Sequence, residues 1–224
     1  MTEGLALSLR DLSVPGDGGR VLLALDALDL APGQALGVRG VSGAGKSTLI
    51  LALAGLAPGL RGSLRWGGHD LCAMDRRARA TFRRDHVGLV FQDYPLFDEL
   101  SPAANAAMPA LFASRARRAG IRARAAEGLR RLGVPEGDRR VARFSGGERQ
   151  RVAVARALAG DPAVILADEP TANLDRAAAD LLARDLLAMA RQGRTLVVAS
   201  HDDGLLARMD RVVTLGHGKL LSAA

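Results

Sequence analysis

The sequence predicts an α/β fold with a mostly parallel sheet, an antiparallel β edge on its N-terminal side and an α-helical subdomain inserted between strands. Three observations point there. Short apolar runs alternate with helical segments on either side of the chain's middle. Residues 101–160 turn instead to long Ala-, Leu- and Arg-rich helical segments without a strand signal. Finally, Gly40-Val41-Ser42-Gly43-Ala44-Gly45-Lys46-Ser47 fits G-x-x-x-x-G-K-[ST], a phosphate-binding loop that needs a strand before it and a helix after it.

Taken in order, Leu5 to Leu12 alternates as a half-buried strand, Pro15-Gly16-Asp17-Gly18-Gly19 reads as a turn, and Val21 to Leu30 as a second strand. Ala35 to Arg39 is the strand feeding the loop and Ser47 to Ala54 the helix after it, closed by Gly55 and Pro58. Ser63 to Trp66 and His86 to Phe91 read as strands, with a basic helix over Met74 to Arg84 between them. After the helical stretch, Ala163 to Ala167 is the continuous apolar run of a buried parallel strand. A helix over Arg176 to Arg191 follows, then a strand over Thr195 to Ser200, a short helix over Asp203 to Met209 and a closing strand pair, Arg211 to Leu215 and Lys219 to Leu221. The expectation is a single domain, 1–224, with a P-loop nucleotide-binding core from 1–92 and 161–224 and a helical subdomain from 93–160.

Composition narrows the class. A chain of 224 residues, 48% hydrophobic, can bury one large core. The lone Cys72 excludes an internal disulfide framework, and no uncharged stretch reaches the roughly 18 to 20 apolar residues of a membrane helix. The N-terminal residues lack the basic and apolar regions of a secretion signal, so a cytoplasmic protein is expected. Thirteen arginines against four acids between Arg115 and Arg156 make +9, more than the whole chain's +7. That segment reads either as solvated helical faces or as a surface toward anionic lipid or nucleic acid.

The chemistry starts at the loop. Its glycines let backbone N–H groups from Gly40 to Ser47 turn toward a polyphosphate, and the helix beyond, opening at Ser47 and Thr48, adds its partial positive N-terminus. Lys46 reaches the β- and γ-phosphates and Ser47 holds Mg²⁺ in such loops. Only Lys46 and Lys219 are lysines among 31 basic residues, so a compact ammonium is kept here in a chain that otherwise writes Arg. Asp168 and Glu169 end an apolar strand, where a second metal contact and a water-activating base belong; alternatively Glu169 is a loop acid before Pro170. Ser145-Gly146-Gly147-Glu148 is a capping box opening an amphipathic helix, and its glycines expose a second set of helix N–H groups suited to an anion.

These motifs, in this order, resemble the ATP-binding cassette (ABC) family of transporter ATPases: the P-loop Gly40 to Ser47, Gln92 in Phe91-Gln92-Asp93, the signature Ser145 to Glu148, the pair Asp168-Glu169, Asn173-Leu174-Asp175 and the histidine His201. The resemblance implies an ATPase using ATP and Mg²⁺ that closes head to tail as a homodimer and drives a separate integral-membrane permease. Each ATP then lies between one chain's P-loop and the other's signature. By the same resemblance Glu169, His201 and Gln92 serve catalysis, Ser145 and Gly147 touch the partner's γ-phosphate with Gly146, Glu148 and Asp175 beside them, and Ser47, Gln92 and Asp168 serve the metal. Segments such as Val87 to Gln92 and Gly146 to Arg156 look like the lipoprotein-release, macrolide-export and cell-division subgroup. The subunit is then peripheral on the inner face of the cell membrane, with no membrane span of its own and no nucleic-acid partner. An amino-acid-type importer cassette and a DNA-associated cassette are the alternative readings.

Two positions depart from the family pattern. Phe144 and Glu148 flank the signature where Leu and Gln are usual. The aromatic ring that usually stacks on adenine is missing from Ser13-Val14-Pro15-Gly16, leaving Val14 as an apolar contact for the base and predicting weak discrimination of ATP over GTP.

Overall fold

A computed structural model describes residues 3–135, 137, 139–172 and 174–223, with the backbone alone at 17, 222 and 223. The chain opens on β1 (Leu7–Pro15) and β2 (Val21–Leu30), followed by β3 (Ala35–Arg39), α1 (Lys46–Leu53), β4 (Arg61–Trp66) and β5 (His69–Asp70). Next come α2 (Arg76–His86), β6 (Val87–Val90) and the helices α3 (Pro102–Ala106), α4 (Pro109–Phe112), α5 (Arg115–Arg131) and α6 (Gly146–Ala159). The chain returns through β7 (Val164–Asp168), α7 (Arg176–Arg191), β8 (Thr195–Ala199), α8 (Asp203–Leu206), β9 (Arg211–Gly216) and β10 (Lys219–Ala223).

Two sheets form. One has the order β2-β1-β4-β5 and is antiparallel; the other has the order β10-β9-β3-β8-β7-β6 and is parallel except for its β9–β10 edge. The expected mostly parallel sheet and antiparallel N-terminal edge are therefore present. The two-residue β5 was not expected, because two residues carry no alternation to read.

The parallel sheet has apolar cover on both faces, which is why β7 and β8 are continuous apolar runs. Successive side chains go to opposite faces. Val164, Leu166, Val197 and Ala199 join one core with the antiparallel sheet and α1, while Ile165, Ala167, Leu196 and Val198 join a second core with α5, α6 and α7. Trp66 anchors the first core with no exposed surface, and its indole N–H donates to the Leu53 carbonyl at 2.9 Å. Truncating such a side chain costs about 3 to 5 kcal/mol.

One irregularity decides a site question. The inward set of β1 is Leu7 and Leu9, then Leu12 and Val14, so the alternation flips at Arg10 and Asp11. Asp11 takes φ 48°, and the pairing of β1 with β4 shifts register between Arg10 and Ser13. Gly62 makes room for this bulge: a Cβ there would lie 2.2 Å from the Asp11 carbonyl oxygen. The bulge turns Val14 into the core, where it is 1% exposed.

Candidate functional site

The parallel strands β3, β7 and β8 all end at one edge of the sheet, the place where ligands sit in α/β proteins. The loop Gly40–Gly45 follows β3, Glu169 follows β7, and Ser200 and His201 follow β8. Together they border a cleft of about 770 Å³ that also takes in Lys46, Ser47, Thr48, Gln92 and Asp168.

At the N-terminus of α1 the capping position is Gly45, with φ 102°, a conformation only glycine adopts at little cost. Gly45 offers no side-chain cap to this helix. Its first N–H groups are therefore left for an anion, and the helix dipole favours one. Lys46 folds back over the loop, its Nζ donating to the Gly40 carbonyl at 2.7 Å.

Glu169 is the hub of the cleft. Its Oε1 lies 3.6 Å from Lys46 Nζ and its Oε2 lies 2.9 Å from His201 Nδ1. The His201 backbone N–H also donates to Oε2 at 3.4 Å. Glu169 reaches this position through a left-handed backbone, φ 48°, with its N–H bonded to the Ala199 carbonyl at 2.9 Å. A non-glycine residue held there stores strain of about 1 to 3 kcal/mol, the kind that persists where surrounding structure over-determines it. His201 itself stands largely in solvent.

Asp168, 6% exposed, lies behind Glu169. Burial pushes its carboxyl above the ordinary range, the nearby charges of Glu169 and Asp93 push the same way, and the Ser47 hydrogen bond and the Lys46 charge oppose them. Its Oδ1 is buried and makes no hydrogen bond with any described residue. A buried, electron-rich oxygen beside a serine hydroxyl suits a hard cation.

The predicted residues thus divide into two groups. Gly40 to Thr48, Gln92, Asp168, Glu169 and His201 share the cleft, whereas Ser145, Gly146, Gly147, Glu148 and Asp175 do not line it. Ser145 is the N-cap of α6, its Oγ accepting from the Glu148 N–H at 3.3 Å while Glu148 Oε2 accepts from the Ser145 N–H at 2.8 Å. This is the expected capping box. Glu148 Oε1 accepts from Arg139 at 2.8 Å, and the Arg139 guanidinium lies 4.3 Å from the centre of the Phe144 ring. Asp175 caps α7, accepting from the Ala178 N–H at 2.9 Å. Asn173 lies outside the described residues.

The segment that follows Gln92 is tied to α6. Arg156 donates to the Pro95 carbonyl and Arg149 to Asp98, both at 2.6 Å. Asn105, fully buried, pairs with both the N–H and the carbonyl of Phe97, at 2.8 and 2.9 Å.

Val14 is a correction, since it is in the core and does not border the cleft. Arg20, Val21 and Leu22 border it instead, with His217 and Gly218 from the turn between β9 and β10. That turn bonds the loop directly, Gly218 N–H to Ala44 carbonyl at 3.0 Å. Its His-Gly dipeptide between two strands was a legible turn signal; its meeting with the P-loop was not.

Loop, acid pair and strand order define the class, a P-loop nucleoside triphosphatase on a parallel sheet. The description of the ABC transporter family matches residues 25–172, and the chain belongs to that family. It is similar to the lipoprotein-releasing system ATP-binding protein LolD 1 of Rhodospirillum rubrum, with 42% identity over 210 residues and 92% of each chain covered. With the macrolide export ATP-binding/permease protein MacB of Bradyrhizobium diazoefficiens it shares 39% identity over 208 residues, 92% of this chain and 32% of that one. The dimeric structure of MJ0796, a bacterial ABC transporter cassette, superposes with a TM-score of 0.87 at 29% identity, covering 97% of each chain. The chain is an ATP-binding, ATP-hydrolysing ABC cassette. Among the described residues no helix is long and apolar enough to cross a membrane.

Proposed function

We propose that the chain is the ATPase subunit of a transporter of the lipoprotein-release and macrolide-export type, held at the inner face of the cell membrane by a separate permease. Two copies close head to tail around two ATP molecules, each between one P-loop and the opposite signature. The observation that carries this reading is the division of the predicted residues: a cleft complete in Lys46, Glu169 and His201, and a signature face on the same chain that does not line it. A site split in this way is completed by a second copy. Residues 1–92 and 161–224 act as the nucleotide-binding unit and 93–160 as the unit carrying the signature, with Gln92 at their junction.

Ser47 and Asp168 would hold Mg²⁺ with Gln92 beside them, and the buried Asp168 oxygen, unpartnered among the described residues, supports that fit. Bound there, the ion supplies neutralisation of the phosphate oxygens. Lys46 exchanges its Gly40 contact for the β- and γ-phosphates. Glu169 takes the proton of the attacking water on a carboxylate oxygen, and its link to His201 orients it. His201 holds the γ-phosphate, and Ser145 and Gly147 of the opposite copy close over it. Asp175 lies beside that contact.

Glu169→Gln keeps size and hydrogen bonding but cannot take the proton, so hydrolysis should slow by about 10² to 10⁴ while ATP still binds. Hydrolysis is the fast exit from the closed state. The variant should therefore accumulate as an ATP-bound dimer in size-exclusion chromatography, and adding Ser145→Arg should disperse it. A Glu169→Gln protein that stays monomeric with ATP at micromolar concentration, or a double variant that dimerises as well, defeats the head-to-tail mechanism.

A further inference from the structure

The signature of this chain carries a carboxylate, Glu148, at the third residue of the helix that is to face a triphosphate. Its position is fixed by the capping box, with Oε2 at 2.8 Å from the Ser145 N. That bond consumes the Ser145 N–H, which can no longer donate to a phosphate, and it holds a full negative charge one hydrogen bond away from the phosphate-facing residue. The Ser145 N–H also keeps the Glu148 carboxyl below its usual range, so the charge is present at neutral pH. An anion approaching Ser145 would meet repulsion unless that charge is answered.

Arg139 answers it. Its Nη2 donates to Glu148 Oε1 at 2.8 Å, and its guanidinium lies over the Phe144 ring at 4.3 Å. The two departures from the usual family signature, Phe144 and Glu148, thus meet at one arginine. Phe144 is 8% exposed and gives a fixed platform, and the planar guanidinium suits both stacking and a carboxylate. The Arg139 and Glu148 side chains are 47% and 19% exposed, a setting in which an ion pair contributes little to stability. Its effect falls on what the face presents: a neutral pair with spare guanidinium N–H donors in place of a bare carboxylate.

We infer that Arg139 is a positioning residue for ATP-linked dimerisation, neutralising Glu148 so that the signature face can accept the opposite copy's phosphates. This rests on the head-to-tail reading proposed above. Arg139 touches neither substrate nor reacting atoms; it acts through Glu148.

The test uses the full chain in the Glu169→Gln background and reads the ATP concentration giving half-maximal dimer by light scattering. Adding Arg139→Gln should raise that concentration about tenfold, and less at high salt. Nucleotide affinity measured at nanomolar protein, where only the P-loop side binds, should stay within about twofold. Adding Glu148→Gln as well should restore the half-maximal concentration to within about twofold, because glutamine keeps the capping box without the charge. A merely structural role predicts a deficit that Glu148→Gln does not relieve. That outcome overturns the inference, as does an Arg139→Gln protein that dimerises normally. If the Glu169→Gln background itself fails to dimerise, the head-to-tail reading fails first and is distinguished by that control.

Discussion

At the carboxyl edge of the parallel sheet the Lys46 and Glu169 side chains keep only 11% and 9% of their surface in solvent, each held by other groups of the same chain. At the start of α6, Ser145 and Gly146 stand exposed, and their contacts serve to cap the helix. The cleft is pre-organised by burial, ion pairing and a strained backbone at Glu169. The signature face is held by its capping box and by the Arg139 contacts to Glu148 and Phe144, with Ser145 and Gly146 in water. On the proposed head-to-tail reading, burial is provided within one chain around the reacting groups, whereas the surface that is to meet a second copy is kept polar and satisfied while it is apart.

The contrast can be broken most directly at Lys46. Lys46→Ala removes the one mobile cation of the loop, and ATP affinity should fall by at least about a hundredfold. Equilibrium binding with a fluorescent nucleotide checks this, and near-normal affinity would show that the loop's N–H groups suffice.

His201 sharpens the distinction between binding and turnover, since its ring is exposed and its contact runs to Glu169. His201→Ala should lower the hydrolysis rate by about tenfold or more while leaving ATP affinity within about twofold. Turnover retained within about twofold of the wild type would make it an ordinary loop histidine.

The smallest effect expected concerns stability. Asp168 keeps a buried oxygen without a partner among the described residues, and its ionised form is disfavoured by burial. Replacing the charge by an amide, Asp168→Asn, should stabilise the nucleotide-free protein by about 1 kcal/mol, raising Tm by about 2 to 4 °C. Calorimetry of the nucleotide-free variant reads this, and an unchanged or lowered Tm would mean that the carboxylate is already satisfied without a metal ion.

Much of this was legible because local and global signals agree. The sequence-predicted α7, Arg176 to Arg191, matches the observed span, helped by Asp175 as cap and Gln192-Gly193 after it. The core strands β3, β7 and β8 announced themselves as apolar runs, and the P-loop, acid pair and His201 could be placed at their ends. Features that depend on a bulge or on distant segments could not be read. Val14 follows a bulge whose cause is shared between Asp11 and Gly62, which lie on different strands. Nothing in the local run Ala167 to Pro170 announces the left-handed backbone of Glu169. Arg139 was one arginine in a segment holding thirteen, and only the fold shows that it lies between Phe144 and Glu148.

The scarcity of lysine has a practical consequence. Amine-directed acylation of this chain can modify only two side chains, one exposed on β10 and the other largely shielded in the lining of the cleft. Lys219 serves as an internal reference for reagent dose, and with Lys46 in its proposed place on the phosphates the peptide carrying it becomes a footprint of nucleotide occupancy. The wild-type protein thus contains its own occupancy gauge, readable by mass spectrometry without an introduced label.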